Sequence, residues 1–437
     1  MKSKIALWYL IVVFLFSWGF LSARYHIFPW SLIDGFIITV ENFVKGDPFD
    51  DTPLARRVVA EFKDDTAQFE ADNHPGFANG KPLSPDFFDP GQKGLPLFFT
   101  EKTSGYYMVY GIFKAASNGL APYAILIDHK GNVVRSWHLP FLGQSKESRR
   151  IFISREGDLI TNNSDALRCY SWCGDLKWEI PPSGFHHEMD EWGDKLYLWR
   201  WDTVVSVDKK DQSVTTILRL IDLVMNNPDV VELRMPLTDE FRYFEEARET
   251  SAVDDKDPNL AQKTGYFRGR DPYHPNTVSV NKGVCPLFPP DALLLSFRHI
   301  DTVMVVDPKT AKVLWIDHFN RQHYPLWRPD GITVYNNRTN FRHSTIEYVT
   351  FDKKRTILAD GKDFRWHRTW TGNYSFLDDG SLLFLANHSE FYHLDESGHV
   401  MSRFVNRFNA LDLTIVNAYF VDEESFKRFE SACTKSR

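Results

Sequence analysis

The feature that most constrains the fold is a hairpin pattern that recurs along the chain. Each copy has an apolar strand, a turn that contains Asp with Gly or Lys, and a second strand that often ends in Trp. The six copies occupy residues 124–137, 168–178, 204–214, 303–315, 346–358 and 391–400. A repeated unit of this kind buries its apolar surface against its neighbours in a closed or stacked array.

A further pair of short strands precedes most of these hairpins. The pairs fall at residues 151–161, 188–198, 324–335 and 374–385. Two hairpins make a four-stranded sheet, and six such sheets arranged radially leave no long strand edges exposed. The sequence therefore predicts an all-β fold, a six-bladed β-propeller, over residues 104–404.

The remaining segments differ from the repeat in composition. Residues 220–269 interrupt the array with a helical pattern and mixed charges, so we expect a partly helical insertion that forms a lid or side layer. Residues 26–103 contain many Pro, Gly and Asp and are predicted to be a linker with a packed N-terminal segment. Residues 405–437 are predicted to be a closing segment that ends in a helix.

The first 25 residues carry a membrane signal. Lys2 and Lys4 precede a nearly uninterrupted apolar run over residues 5–21, and Arg24 follows. This pattern is typical of a signal sequence or a membrane anchor. Because Ser22 and Ala23 do not make a convincing small-x-small cleavage site, we favour an uncleaved transmembrane anchor over residues 1–25 to a cleaved signal. The rest of the chain is then outside the cytoplasm, in the periplasm if the protein is bacterial.

Charge and cysteine content exclude some classes of protein. The net charge is -7 and the basic residues are scattered, so no nucleic-acid partner is predicted. Four cysteines do not make a disulfide framework. Cys169 and Cys173 either form a disulfide in an oxidising compartment or remain two buried thiols.

Three histidines begin strands that would line the central channel of a propeller. His187, His274 and His323 each occupy this place, so their imidazoles should converge from different blades. Each histidine alone is consistent with a structural role, but recurrence at one phase of the repeat favours a shared site. His186 takes the place of His187 if the register is shifted by one residue.

One arginine belongs to the same predicted site. Arg298 follows the apolar run of residues 293–297 in the blade of His274. A guanidinium beside imidazoles in a dry channel indicates a bound anion, such as a sulfate, phosphate or carboxylate group. A zinc site is disfavoured because Arg298 would repel the cation and only Glu188 offers a nearby carboxylate. No cofactor and no metal are predicted.

Aromatic side chains near the expected channel mouth have two interpretations. They could stack on the ring of a substrate, or they could pack between blades, and we favour packing. The residues are Trp327, Tyr335, Trp366 and Trp370.

Several of these stretches resemble the arylsulfate sulfotransferases, a family of bacterial propeller enzymes found outside the cytoplasm. The similarity covers about residues 104–404. It rests on residues 128–137, 186–187, 271–276, 295–298, 302–307, 315, 322–323 and 330–337. The resemblance implies nucleotide-independent transfer of a sulfuryl group from an aryl sulfate ester to a phenolic acceptor. It also implies that His323 is transiently sulfurylated, that His187, His274 and Arg298 complete the site, and that either His187 or His274 handles the proton.

The chain also departs from the family. Asn336 and Asn337 stand where an Asp-Asn pair is expected, and the N-terminal segment does not match the family's strand-rich domain, so the oligomeric state stays open. Two alternatives remain at this point. One is a non-catalytic propeller that binds an anionic ligand or a partner, and the other is a propeller hydrolase or lyase that acts on sulfated or acidic sugars.

Overall fold

The protein is described from a computed structural model. The structure describes residues 98–99, 104–115, 119–129, 132–138, 150–163, 166–181, 184–234, 273–338, 343–364, 366–368, 371–408 and 411–435. All of them belong to the compact unit Gln68–Arg437.

Six antiparallel sheets form the blades of a propeller. After β1 (Phe98–Phe99), blade 1 contains β2 (Tyr106–Ala115), β3 (Gly119–Asp128) and β4 (Val133–His138), and blade 2 contains β5 (Arg150–Ile153), β6 (Leu159–Asn163), β7 (Ala166–Tyr170) and β8 (Leu176–Ile180). Blade 3 contains β9 (Phe185–Trp192), β10 (Lys195–Arg200), β11 (Thr203–Asp208) and β12 (Val214–Arg219), and blade 4 contains β13 (Pro275–Val280), β14 (Leu293–Phe297), β15 (Thr302–Asp307) and β16 (Lys312–His318). Blade 5 contains β17 (His323–Arg328), β18 (Gly331–Asn336), β19 (Thr345–Thr350) and β20 (Arg355–Asp360), and blade 6 contains β21 (Tyr374–Phe376), β22 (Leu382–Leu385), β23 (Glu390–Leu394) and β24 (Val400–Val405). The predicted six-bladed β-propeller is confirmed.

The two ends of the described chain complete the sheets. The small hairpin of β25 (Arg407–Phe408) and β26 (Leu411–Asp412) leads to β27 (Ile415–Val421), which pairs with β2 as the fourth strand of blade 1. At the other end, β1 pairs with β24 and adds a fifth strand to blade 6. Pairing of a late strand with an early one closes the ring, so no blade is left with an open inner edge.

Short helices lie outside the blades. They are α1 (Leu220–Asn226), α2 (Val231–Arg234), α3 (Gly361–Phe364) and α4 (Glu423–Lys435). The first two fall at the start of the predicted insertion, and residues 235–269 of that insertion lie outside the described residues. None of the described helices is long and apolar enough to cross a membrane. The predicted anchor, residues 1–25, lies outside the described residues, as does the segment 26–103 apart from β1.

The apolar core is divided into six clusters, and each cluster lies between two neighbouring blades. Trp327 packs between blades 4 and 5, whereas Tyr335 and Trp366 pack between blades 5 and 6. Interblade packing is therefore confirmed for these three aromatic residues. Trp370 lies outside the described residues.

The cysteine pairing differs from both sequence-based alternatives. Cys173 is joined by a disulfide to Cys433, 260 residues away, and Cys169 is a buried free thiol. Cys169 and Cys173 do not pair with each other, because Cys169 lies within β7 among apolar side chains while Cys173 lies in the following turn beside α4. The bridge therefore ties blade 2 to the C-terminal helix.

Candidate functional site

Irregular inner strands place the predicted histidines. The pairing between the first and second strands shifts register in blades 3, 4 and 5, between Tyr197 and Trp199, between Pro275 and Thr277 and between His323 and Leu326. His187 (φ 61°) and His274 (φ 47°) adopt left-handed backbone conformations, and Tyr324 (φ 53°) does so directly after His323. Bulges redirect side chains, and left-handed non-glycine residues concentrate at functional sites. The three blades thus share one distortion at the candidate site.

Two of the three predicted histidines are in ring contact. The rings of His187 and His274 lie edge to face with their centres 4.9 Å apart, and the ring of His274 lies 4.5 Å from that of His299. His187 is 7% exposed and His323 is 1% exposed, so both imidazoles are almost completely removed from solvent. The ring of His186 meets the ring of His187 edge to face, with the ring centres 4.9 Å apart.

The tautomer of His323 is set by an asparagine. Asn337 Nδ2 donates to the carbonyl oxygens of Arg368 (2.6 Å) and Thr371 (2.9 Å), which fixes the orientation of the amide. Its Oδ1 therefore faces His323 Nδ1 at 2.7 Å and accepts a hydrogen bond from it. With its proton on Nδ1, the neutral imidazole of His323 presents an unprotonated Nε2.

The residue before His323 is held just as firmly. Gln322 Nε2 donates to Ser296 Oγ (3.1 Å) and to the carbonyl oxygens of Phe297 (3.1 Å) and Thr302 (2.8 Å). The Gln322 carbonyl oxygen accepts from Asn276 Nδ2 at 2.8 Å. These bonds tie the start of β17 to blade 4 at the end of β14, where Arg298 follows.

Arg298 lies beside His274. It is 6% exposed, and its backbone N–H donates to the carbonyl oxygen of His274 at 3.0 Å. The positive charge of Arg298 lowers the pKa of His323. The structure thus brings together His187, His274, His323 and Arg298.

Burial and local charges favour the neutral imidazole at His323 and at His187. Burial is the main reason that the pKa of His323 lies well below its usual value, and the charges of Arg298, Arg150 and His274 lower it further, against the hydrogen bond to Asn337. Burial also lowers the pKa of His187 well below its usual value, with help from His186, His274, Arg150 and His323. A buried, cationic and unprotonated site of this kind is suited to an anion and to nucleophilic or base chemistry.

A second arginine belongs to this site and was not predicted. Arg150, at the start of β5, is 6% exposed and pairs through Nε with Glu188 Oε1 at 2.7 Å. Its charge acts on both His187 and His323. No sequence signal marked Arg150, because its relation to the histidines depends on blade 2 lying beside blade 3. Glu188, weighed above as a metal ligand, is instead the partner of this guanidinium.

Asn337 also had no predicted role, although it lies in the stretch that carries the family resemblance. The sequence signal that could have identified it is its position directly after the hairpin of β17 and β18. Among the described residues, no group of three or more His, Cys, Asp and Glu side chains is arranged to hold a metal ion.

Fold and site together define a class of protein: a six-bladed β-propeller with a buried, cationic histidine cluster contributed by consecutive blades. The chain matches the family model "Arylsulfotransferase (ASST)" over residues 97–318, slightly more than half of its length. The chain belongs to the arylsulfotransferase family. The matched region contains His187, His274 and Arg298, whereas His323 and Asn337 lie beyond its end.

Other comparisons are weaker. No curated protein matches the chain. Among solved structures, it is similar to a protein of unknown function from Bacteroides caccae, with a TM-score of 0.46, 11% identity, and coverage of 74% of this chain and 100% of that one. It is also similar to apo AztD from Citrobacter koseri (TM-score 0.37, 10% identity, 74% of this chain and 99% of that one).

Proposed function

We propose that the protein is a nucleotide-independent sulfotransferase that moves a sulfuryl group from an aryl sulfate ester to a phenolic acceptor through a sulfohistidine on His323. The observation that carries this proposal is the hydrogen bond from His323 Nδ1 to Asn337 Oδ1. It leaves the Nε2 lone pair of a neutral, buried imidazole available beside Arg298. Membership of the arylsulfotransferase family supports the same reaction class.

The first half-reaction forms one bond and breaks another. His323 Nε2 attacks the sulfur atom of the donor, the N–S bond forms, and the S–O bond to the aryl oxygen breaks with its electron pair leaving on that oxygen. In the second half-reaction the acceptor oxygen attacks the same sulfur, its O–H proton passes to one of the neighbouring histidines, and the N–S electron pair returns to His323 Nε2. A covalent intermediate divides one difficult transfer into two easier ones.

Arg298 is proposed to hold the nonbridging sulfuryl oxygens. Its planar guanidinium can donate two parallel hydrogen bonds to such a group, and these strengthen as charge builds up in the transition state. His274 lies against His187 and next to the Arg298 backbone, so we place it at the same oxygens.

The location of the protein is also a proposal. We infer that residues 1–25 anchor it to a membrane with the propeller outside the cytoplasm. The disulfide between Cys173 and Cys433 supports this, because such bonds persist in oxidising compartments. Protease treatment of intact cells or spheroplasts that digests the propeller would support this topology, and digestion only after lysis would contradict it.

The decisive test of the reaction is mass spectrometry of the full-length protein after brief incubation with 4-nitrophenyl sulfate. Peptides should be prepared at neutral pH, since an N–S bond on imidazole hydrolyses in acid. We expect a sulfuryl adduct on the peptide that contains His323, discharged by added phenol and absent from His323→Ala.

A matched control is His399→Ala, which removes an exposed histidine that is 3.5 Å from Asp395 in a turn of blade 6. This variant should form the adduct as the wild type does. Binding of the aryl sulfate without any adduct, in a protein with an intact fold, would contradict the transferase and favour an anion-binding propeller.

A further inference from the structure

His186, which is not one of the four candidate site residues, contacts His187. His186 Nδ1 lies 2.6 Å from His187 Nδ1, and the two rings meet edge to face with centres 4.9 Å apart. On its other side, His186 Nε2 lies 2.7 Å from the carbonyl oxygen of Trp201. The three groups form a short chain that runs from the turn after β10 to His187.

The direction of the hydrogen bonds in this chain follows from the acceptor at its end. A carbonyl oxygen can only accept, so His186 Nε2 carries a proton and donates it to Trp201. A neutral imidazole has one N–H, and His186 Nδ1 therefore presents a lone pair. His187 Nδ1 must then be the donor, which leaves Nε2 of a neutral His187 without a proton.

The backbone around this chain is held in place. Trp201 has a left-handed conformation (φ 56°), and its N–H donates to the carbonyl oxygen of Gly184 at 3.0 Å. Gly184 also has a positive φ of 73°, and a Cβ atom there would lie 1.9 Å from the Trp201 ring. Asn162 Nδ2 donates to the carbonyl oxygen of His187 at 2.5 Å. The acceptor carbonyl and the backbone of His187 are thus both fixed.

We propose that His186 is a positioning residue that holds His187 in the Nδ1–H tautomer, so that His187 Nε2 is the base that takes the proton of the phenolic acceptor. This inference rests on the proposed sulfuryl transfer and assigns the proton work to His187 rather than to His274. A neutral His187 in this tautomer cannot donate to a sulfuryl oxygen through Nε2, but it can accept a proton there.

The step balances in atoms and charge. The acceptor O–H bond breaks and its proton binds His187 Nε2, while the acceptor oxygen forms the new O–S bond. The N–S bond to His323 breaks, and its electron pair returns to Nε2 of that imidazole. The protonated His187 then returns the proton either to the next departing phenolate or to solvent. A donor whose leaving group is stable as an anion does not need this proton.

The two half-reactions can be measured separately by rapid quench with full-length protein. Formation of the intermediate is followed with 4-nitrophenyl sulfate, whose leaving group departs as an anion. Discharge is followed with phenol, which is neutral at the assay pH, and with a fluorinated phenol that is already ionised there. His186→Phe keeps an aromatic ring but removes the acceptor for His187 Nδ1. His186→Gln keeps an oxygen acceptor for His187 and an amide donor for Trp201.

We expect His186→Phe to slow discharge by phenol about 100-fold, the usual contribution of a general base, and to change discharge by the ionised phenol and formation of the intermediate less than about threefold. His186→Gln should restore most of the lost rate with phenol. In a His187→Gln background, His186→Phe should add no further loss, because His186 acts through His187.

The outcomes separate this inference from the proposed function. Absence of an intermediate in the wild type would contradict the proposed sulfotransferase activity itself. An intermediate that forms normally in His186→Phe and is discharged by phenol at the wild-type rate would overturn only the inference, as would equal slowing with both phenols or additive effects with His187→Gln. If His186→Phe does not fold, His187→Gln alone decides: discharge by phenol at the wild-type rate in that variant removes His187 as the base.

Discussion

His323 Nδ1 lies 2.7 Å from Asn337 Oδ1, and the amide of Asn337 is oriented by two carbonyl oxygens on its other side. This relationship fixes which nitrogen of His323 is unprotonated. It depends on a neutral side chain, since the hydrogen bond to an amide oxygen raises the pKa of His323 less than a carboxylate would.

We therefore expect different effects from two substitutions of Asn337. Asn337→Ala frees the tautomer and should lower the rate of adduct formation about 10- to 100-fold, as loss of an orienting partner does at other histidine sites. Asn337→Asp should retain Nδ1 as the donor but raise the pKa of His323. In the wild type we expect the acidic limb of the pH profile of kcat/KM below pH 6.5, because the pKa of His323 is lowered. In Asn337→Asp this limb should move to higher pH. A limb that stays in place in Asn337→Asp would contradict this role.

Arg298 should be needed for its shape as well as its charge. Arg298→Ala should lower kcat/KM for an aryl sulfate about 100- to 1000-fold, the scale seen when a charge-stabilising donor is removed, and Arg298→Lys should recover only part of the loss. Steady-state kinetics with 4-nitrophenyl sulfate measures both variants. The same substitutions at Arg328 serve as the control and should leave kcat/KM unchanged, since the Arg328 guanidinium lies 3.9 Å from the ring centre of Phe376 rather than in the site. Full activity in Arg298→Lys would argue against a bidentate clamp.

Stability should fall as the pH falls below the usual histidine pKa. Burial lowers the pKa of His393 from 6.5 to about 4, and its ring nitrogens lie 2.8 Å from the hydroxyls of Tyr107 and Ser381. Because the unfolded chain binds a proton at a higher pH than the folded one, the stability from this group is present above about pH 6.5 and is lost toward pH 4, by about 3 kcal/mol.

The measurement is chemical denaturation at several pH values between 8 and 4. His393→Gln cannot titrate, so its free energy of unfolding should depend less steeply on pH than that of the wild type. His399→Gln, which alters an exposed histidine, should keep the wild-type slope. Equal slopes in all three proteins would show that His393 does not contribute.

The buried pair of Arg150 and Glu188 allows a direct test of coupling. Their side chains are 6% and 4% exposed, with Nε and Oε1 2.7 Å apart. Glu188→Gln should cost about 3 to 5 kcal/mol, because it leaves a buried guanidinium without its carboxylate. The double variant Arg150→Met with Glu188→Gln should recover part of this loss in urea unfolding. Purely additive losses would mean that the two residues act independently.

Local signals account for what the sequence could predict. Alternating apolar residues with Asp-containing turns mark individual hairpins, and counting them gives the number of blades. Their common position in the repeat predicted that His187, His274 and His323 lie at the starts of inner strands. The end of an apolar run predicted that Arg298 lies at the start of a turn. Each of these inferences uses residues that are close together in the chain.

Relations between distant segments account for what the sequence could not predict. Arg150 and Glu188 meet only because blade 2 lies beside blade 3. The orientation of Asn337 depends on carbonyl oxygens of Arg368 and Thr371, in the connection to the next blade. Ring closure by β27 and the partner of Cys173 depend on the whole array being formed. No spacing rule contains this information.

The disulfide between Cys173 and Cys433 should stabilise the closed ring. It joins the turn after β7 to α4, which directly follows the closing strand β27, and Glu430 on α4 also accepts from Trp172 Nε1 at 2.9 Å and pairs with Arg135 at 2.7 Å. A bridge across so long a segment removes much freedom from the unfolded chain, worth about 5 kcal/mol on chain-entropy grounds. Cys433→Ser should therefore lower Tm by several degrees.

The matched control for this prediction is Cys285→Ser, which alters a buried cysteine that is a free thiol and breaks no cross-link. Reductant should bring the wild type down to the Tm of Cys433→Ser and should leave Cys433→Ser itself unchanged. This equality matters more than the size of the shift, because it separates loss of the bridge from loss of sulfur packing in the cluster between blades 1 and 2. If thiol titration shows that the bond is reduced while the wild-type Tm stays the same, the pairing of α4 with blade 2 must be maintained by Glu430 and the apolar contacts of the helix alone.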